Sequence, residues 1–384
     1  MEHYNPIFSK VPTLRFAEFT DEWEKYELSH FVTRITRRNK NNKSSLPLTI
    51  SAQYGLVDQI SFFNKTVASV DLSGYYLLYN GDFAYNKSYS NDYAWGAVKR
   101  LDKYEKGCLS SLYFVFRPND NVDSDYLTHY FESSKWHKGI SNIAGEGARN
   151  HGLLNMSVDD YFATKHCLPS LPEQKKIARF FNAITRRIEI QNKIIEDLKV
   201  LKKELNYSLI GRIINGKSSN CKIEDVIDYE QPTNYIVKSD KYIENGETPV
   251  LTANKAFLLG YTIENEGVYN KSDCIILDDF TLDFKYVNFP FKIKSSAIKI
   301  LTAKKDIELR YFYEYLLFLG LTSHEHKRHY ISEVAPLPLY LPSIDEQRNA
   351  LSVLNSISKK IKVEENYISA LKAQKCFFLR AMFI

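Results

Sequence analysis

The sequence predicts an α+β protein built as two copies of one unit. Each copy is a globular module of mixed β-sheet and short helices followed by one long helix. The two modules are pseudo-twofold-related and joined by the two long helices, paired antiparallel as a coiled coil. Three observations carry this expectation: a motif recurs at an offset of 173 residues, a heptad of apolar residues follows each copy, and the interruptions of the two heptads coincide.

The motif Leu168-Pro169-Ser170-Leu171-Pro172-Glu173-Gln174 returns as Leu341-Pro342-Ser343-Ile344-Asp345-Glu346-Gln347. After the first copy, apolar residues run Ile177, Phe181, Ile184, Ile188, Ile195, Leu198, Leu205 and Leu209. After the second they run Ala350, Leu354, Ile357, Ile361, Ile368, Leu371, Phe378 and Met382. Steps of four and three define a coiled-coil seam. A Pro and an acidic residue stand near each helix start, where the fixed φ and the helix dipole favour them. Each helix should extend roughly 40 residues, or about 60 Å at 1.5 Å per residue. Gln191 and Lys202 interrupt the first seam, and Glu364 and Lys375 interrupt the second at the same two places. Apolar heptads arise easily whereas shared defects do not, so two unrelated amphipathic helices explain the pattern poorly. The expected seam places Ile184, Ile188, Gln191, Ile195 and Leu198 against Ile357, Ile361, Glu364, Ile368 and Leu371. Gln191 and Glu364 would meet near the pseudo-twofold axis and fix the register.

Upstream the repeat is weaker. Pro47-Leu-Thr-Ile-Ser-Ala-Gln53 resembles Pro249-Val-Leu-Thr-Ala-Asn254, and helical Tyr126-Leu-Thr-His-Tyr-Phe131 resembles Tyr311-Phe-Tyr-Glu-Tyr-Leu316. Turns such as Tyr79-Asn-Gly-Asp82 separate β-rich runs. The expected domains are residues 1–167 and 218–340 for the modules, with long helices at 168–217 and 341–384.

Apolar residues at 44% and charged residues at 25% place the chain among globular proteins. No apolar run matches a signal peptide or a membrane span, so the chain is expected in the cytoplasm. The five cysteines lie far apart without a C-x-x-C pair, which favours buried thiols over zinc or disulfides. The net charge of +5 is concentrated: residues 172–217 hold 11 cations against 5 acids, and 343–384 hold 7 against 4. Any nucleic-acid contact must therefore be focal. One focus is the stretch 33–43, with five cations (Arg34, Arg37, Arg38, Lys40 and Lys43) and no acid, a pattern suited to phosphate.

The paired Leu-Pro-Ser and Glu-Gln signals, with an opening Pro12-Thr-Leu-Arg-Phe-Ala-Glu-Phe19 and Trp23, make the chain resemble the specificity subunit of type I restriction-modification systems over nearly its whole length. The resemblance implies two target-recognition domains, each reading one half of a bipartite, asymmetric double-stranded DNA target. It implies a helix pair that sets the half-site spacing and docks two modification (methyltransferase) subunits, with two motor-nuclease subunits joining for restriction. No cofactor is expected on this chain, because S-adenosylmethionine and ATP would be bound by the partner subunits. The alternatives are a specificity module of another restriction type and a coiled-coil assembly protein without DNA function.

Base reading needs Arg or Lys for guanine and Asn or Gln for adenine on loops that reach the major groove. Gln53 and Tyr54 match Asn254 and Lys255 after the repeated strand. Arg149 and His151 match Lys327, Arg328 and His329, each set lying before a Leu-Pro element, and Lys87, Trp95 and Lys99 are further candidates. Catalysis finds no comparable residues. Asn288-Phe289-Pro290-Phe291 lacks the first Pro of a methyltransferase motif, and no Walker, G-x-S-x-G or H-E-x-x-H string occurs. Asp279, Asp283 and Lys285 mimic nuclease spacing, but Asp278-Asp279 fits a β-turn equally well. The chain is therefore expected not to be an enzyme and to hold no metal.

Overall fold

The computed structural model describes residues 10–384 except 66, 91, 92, 145–151, 255, 305, 324 and 326. Two compact units divide the chain: residues 1–192 with 367–384, and residues 193–366. Compactness does not set the long helices apart as segments of their own, because each helix gives one end to each unit.

In the first unit, Glu24–Glu27 pairs antiparallel with Lys165–Leu168 and closes the base of the module. Its main sheet runs in the order Val32–Arg34, Phe114–Pro118, Phe83–Asn86, Ala97–Arg100, all antiparallel. Aromatic and β-branched side chains fill its buried positions, as a half-covered pleated surface favours. Two ribbons extend it, Leu48–Ser51 with Gly55–Asp58 and Tyr76–Tyr79 with Lys106–Leu109. The Tyr79-to-Asp82 turn forms as expected: Gly81 takes φ 86°, and the Asp82 carboxylate accepts the Tyr79 N–H at 2.8 Å. The module helix Ser124–Glu132 starts from Asp123, whose side chain accepts the Tyr126 N–H. The core is aromatic, with Tyr85 stacked on Tyr161 at 4.7 Å and Phe83 on Phe116 at 5.5 Å. Met382 and Phe383, from beyond the second long helix, are buried in this same core, and the Phe383 ring lies 5.4 Å from that of Tyr126.

The second unit repeats the plan. Cys221–Lys222 pairs with Pro338–Leu339, and the main sheet runs Ile227–Glu230, Ile298–Ala303, Cys274–Asp278, Phe284–Val287. The smaller sheet joins Leu258–Thr262, Thr248–Leu251 and Lys292–Ile293. The module helix Leu309–Leu319 ends at Gly320, whose φ of 59° is the left-handed cap that glycine adopts without strain.

The long helices are Leu171–Ile214 and Ile344–Ala381, 44 and 38 residues, or about 66 and 57 Å. They run antiparallel within each unit. In the first unit, Phe180 meets Phe378 at 5.0 Å, Lys375 donates to Thr185 at 2.9 Å, and the Arg187 guanidinium lies over Tyr367. In the second, Lys199 pairs with Glu365 at 2.8 Å, and Ile210 shares a core with Ala350 and Leu351. Of the expected seam, Gln191, Ile195, Ile361, Ile368 and Leu371 are buried, while Ile184, Ile188, Leu198, Ile357 and Glu364 are half-buried. Gln191 belongs to the first unit and Glu364 to the second, where Glu364 pairs with Lys360 on its own helix. The expected pattern slips near the end of the first helix. Leu205 and Leu209 are only half-buried, and Asn206 and Ile210 take the enclosed places. A helix of 3.6 residues per turn drifts about 20° per heptad against a 3.5 repeat, so the inward face moves on by one residue.

Candidate nucleic-acid interface

The basic stretch 33–43 leaves the main sheet after Arg34 and continues as an arm closed by one buried side chain. Asn39 donates to the Ser44 carbonyl at 2.9 Å and accepts the Ser44 N–H at 3.0 Å, holding the turn Lys40–Asn42 out from the module. Arg34, Lys40 and Lys43 are exposed and form no ion pair with a described residue. Arg37 is committed elsewhere: it binds Asp82 at 2.7 Å and the Leu77 carbonyl, and stacks over Tyr79. Arg38 donates to the Gly74 carbonyl and covers Tyr76, leaving the outer face of its guanidinium exposed.

Gln53 and Tyr54 stand exposed at the turn between Leu48–Ser51 and Gly55–Asp58, a short hairpin that projects them together. The Tyr54 ring meets Phe62 edge-on at 6.4 Å, and Phe62 meets Phe63 at 5.0 Å. Phe62 and Phe63 are largely exposed and were missed by sequence reasoning. An adjacent aromatic pair on a short polar segment was the available signal, since exposed apolar groups at a loop mark contact surfaces. Asn254 is exposed at the equivalent turn of the second unit. Lys87 lies over the Phe114 ring, and Trp95 packs on the core while its carbonyl accepts the Tyr85 hydroxyl. Lys99 lines a cavity of about 440 Å³ with Gln53, Glu132, Lys372 and Lys375, and burial lowers its pKa.

Arg149, His151 and Lys255 lie outside the described residues. Lys327 pairs with Glu325 and Glu333, and Arg328 is half-exposed over Phe280, 3.7 Å from Asp279. His329, a candidate DNA contact, is enclosed by its own loop. It is 3% exposed, bound to Glu333 at 2.7 Å and to Ser323 at 2.6 Å, while its backbone N–H donates to Asp279. The Glu325 carbonyl and the Glu333 carboxylate hold its pKa above the usual value. These bonds tie its loop together.

Of the acids with nuclease-like spacing, buried Asp279 accepts the His329 and Tyr330 N–H groups and Asp283 accepts the Thr281 hydroxyl, while neighbouring Asp278 accepts the Phe280 and Thr281 N–H groups and closes the turn. Among the described residues, no three His, Cys, Asp or Glu side chains come together as a metal site, and no helix is long and apolar enough to cross a membrane.

What carries these surfaces is a joint built twice. Gln174, 2% exposed, donates to the Pro169 carbonyl and accepts the N–H of Asp123, the residue that caps the module helix. Gln347, fully buried, donates to the Pro342 and Asp306 carbonyls and accepts the N–H of Glu308, the residue that precedes the second module helix. Arg15 adds a bidentate pair to Glu173 at 2.7 Å in the first unit. The two seam-breaking lysines complete the joint. Lys375 pairs with Glu132 and Lys202 with Glu314, each at 2.8 Å. Burial pushes the Glu132 carboxyl up, but the His129 hydrogen bond and Lys375 outweigh it and hold the pKa at about 2.

Residues 21–200 match the family model described as the type I restriction modification DNA specificity domain. The specificity subunit of the type I restriction enzymes EcoR124I and EcoR124II from Escherichia coli is 40% identical over 139 residues, which is 35% of this chain and 34% of that protein. The match thus spans about a third of the length of that curated relative. The type I restriction-modification S subunit from M. genitalium has a similar fold, with a TM-score of 0.56 at 16% identity over 97% of this chain and 99% of that one. A chain from a structural study of complex assembly and conformational transition in the type I system gives a TM-score of 0.54 at 17% identity, covering 94% and 97%.

Proposed function

We propose that the chain, whose residues 21–200 match the type I restriction modification DNA specificity domain, is a non-catalytic sequence-recognition subunit of such a system. Each globular module reads one half of a bipartite, asymmetric DNA target. The helix pair sets the gap between the halves and docks two modification subunits, which supply S-adenosylmethionine chemistry; two motor-nuclease subunits supply ATP-driven restriction. The observation that carries this reading is the joint built twice, which couples an exposed hairpin turn, Gln53 with Tyr54 or Asn254, to a stiff helix pair. Half-sites one helical turn apart lie about 34 Å from each other, a span that helices of about 57 to 66 Å can hold.

Positive charge is arranged for position and not for coating. The arm around Lys40 and Lys43 neutralises phosphates, and the hairpin turns carry the donors and acceptors that distinguish bases. On this reading Arg149, His151, Lys255 and Arg328 contribute DNA contacts as well.

The test mixes the purified chain with its modification subunit, S-adenosylmethionine and genomic DNA, followed by methylation-aware sequencing. Adenine methylation confined to one split target is the expected result. Failure to retain DNA at moderate salt would favour an assembly protein, and a single partner bearing both nuclease and methyltransferase would favour another restriction type.

A further inference from the structure

Lys202 and Lys375 occupy the same place in the repeat, and both spoil an apolar seam. Packing alone would be served better by leucine. In each unit the lysine instead reaches the module helix and pairs with its glutamate at 2.8 Å, Lys375 with Glu132 and Lys202 with Glu314. The choice of helix matters. The first module runs directly into the first long helix, where Gln174 clasps it, but its glutamate is held from the second long helix. The second module is clasped by Gln347 on the second long helix, and its glutamate is held from the first. Each module is therefore tied to both long helices, with the glutamine clasp on one and the lysine pair on the other. A body tied to two rods swivels less than a body tied to one.

We propose that Lys202 and Lys375 are positioning residues that set the angle at which each recognition module is carried on the helix pair, and through it the half-site gap that the assembled protein accepts. This rests on the specificity-subunit reading above. Charge suits the task most clearly at Glu314, because a buried carboxylate is costly without its partner and other module orientations are penalised; Glu132 is the more exposed of the two. The pairs are unequal. Glu314 is 1% exposed and, among the described residues, has Arg310 at 3.9 Å as its one further cation, whereas Glu132 also holds His129 at 3.3 Å.

The assembled complex with its modification subunits and S-adenosylmethionine is assayed on duplexes whose half-site gap is native, one base pair shorter or one longer. Wild type should methylate the native gap alone. K202Q and K375Q should each lose about tenfold in gap preference while keeping their base preference within each half-site, with K202Q the stronger. The reversed pair K202E/E314K should regain the native gap. Folded K202Q and K375Q, by thermal melting, with undiminished gap preference would overturn the proposal, as would a folded reversed pair that stays relaxed. Should K202Q fail to fold, K375Q decides by the same criterion, since His129 still compensates its carboxylate. Wild type that methylates no duplex at any gap counts against the specificity-subunit reading itself.

Discussion

At Gln174 and Gln347 a single amide does the work of a hinge pin, satisfying a proline carbonyl and the N–H that opens the module helix. Q347A leaves those buried groups unpaired, at about 1–3 kcal/mol each, so urea denaturation should show a loss of several kcal/mol in the second unit. His166 supplies a pH response. It is buried between the Tyr130 hydroxyl and the Thr164 hydroxyl at 2.8 Å each, and burial lowers its pKa to about 4. The folded value lies below the ordinary one near 6.5, so its neutral form is stabilising above pH 6.5 and that stability is lost as pH falls toward 4. The loss between pH 6.5 and 5 should be about 1.5 kcal/mol, seen as a slope in unfolding free energy that H166Q lacks. At this scale the sequence was only partly legible. Gln174 and Gln347 were visible as a repeated signal, but their acceptors were not. Arg37 is held by Asp82, 45 residues away in the chain, so that partner was not legible locally, whereas the His329 ring is held by Ser323 and Glu333, 6 and 4 residues away.

The basic arm and the Gln53 turn divide phosphate contact from base contact, and binding experiments should separate them. K40A/K43A should weaken specific and random DNA alike and lower the slope of log affinity against log salt by about 2. Q53A should instead cost about 1–3 kcal/mol on the cognate target alone, as measured by competition against a duplex altered in one half-site. Elements were more legible than single residues, because periodicity averages over many positions. Both long helices and their antiparallel pairing follow from the heptads and their matched defects. The slip from Leu205 to Asn206 did not, since it depends on Asn206 donating to the Glu314 carbonyl of a helix more than 100 residues on.

Over the whole molecule, duplication explains most of what is seen: two sheets of the same strand order, two capped module helices and two lysine clamps. The repeat was readable because it requires only internal comparison. How the units share the helices was not, because it is decided by contacts across the full length of the chain. F383A should destabilise the first unit by about 3–5 kcal/mol and leave the second unchanged. Hydrogen exchange would show this as lost protection in Phe83–Asn86 with Cys274–Asp278 unaffected. The burial of Phe383 beside Tyr126 and Phe181 also sets a timetable. A ribosome adding about 5–20 residues per second takes roughly 10–40 s to pass from residue 192 to residue 383. Throughout that interval the module made first lacks the Phe383 side chain, so its core closes only after the second long helix has been made.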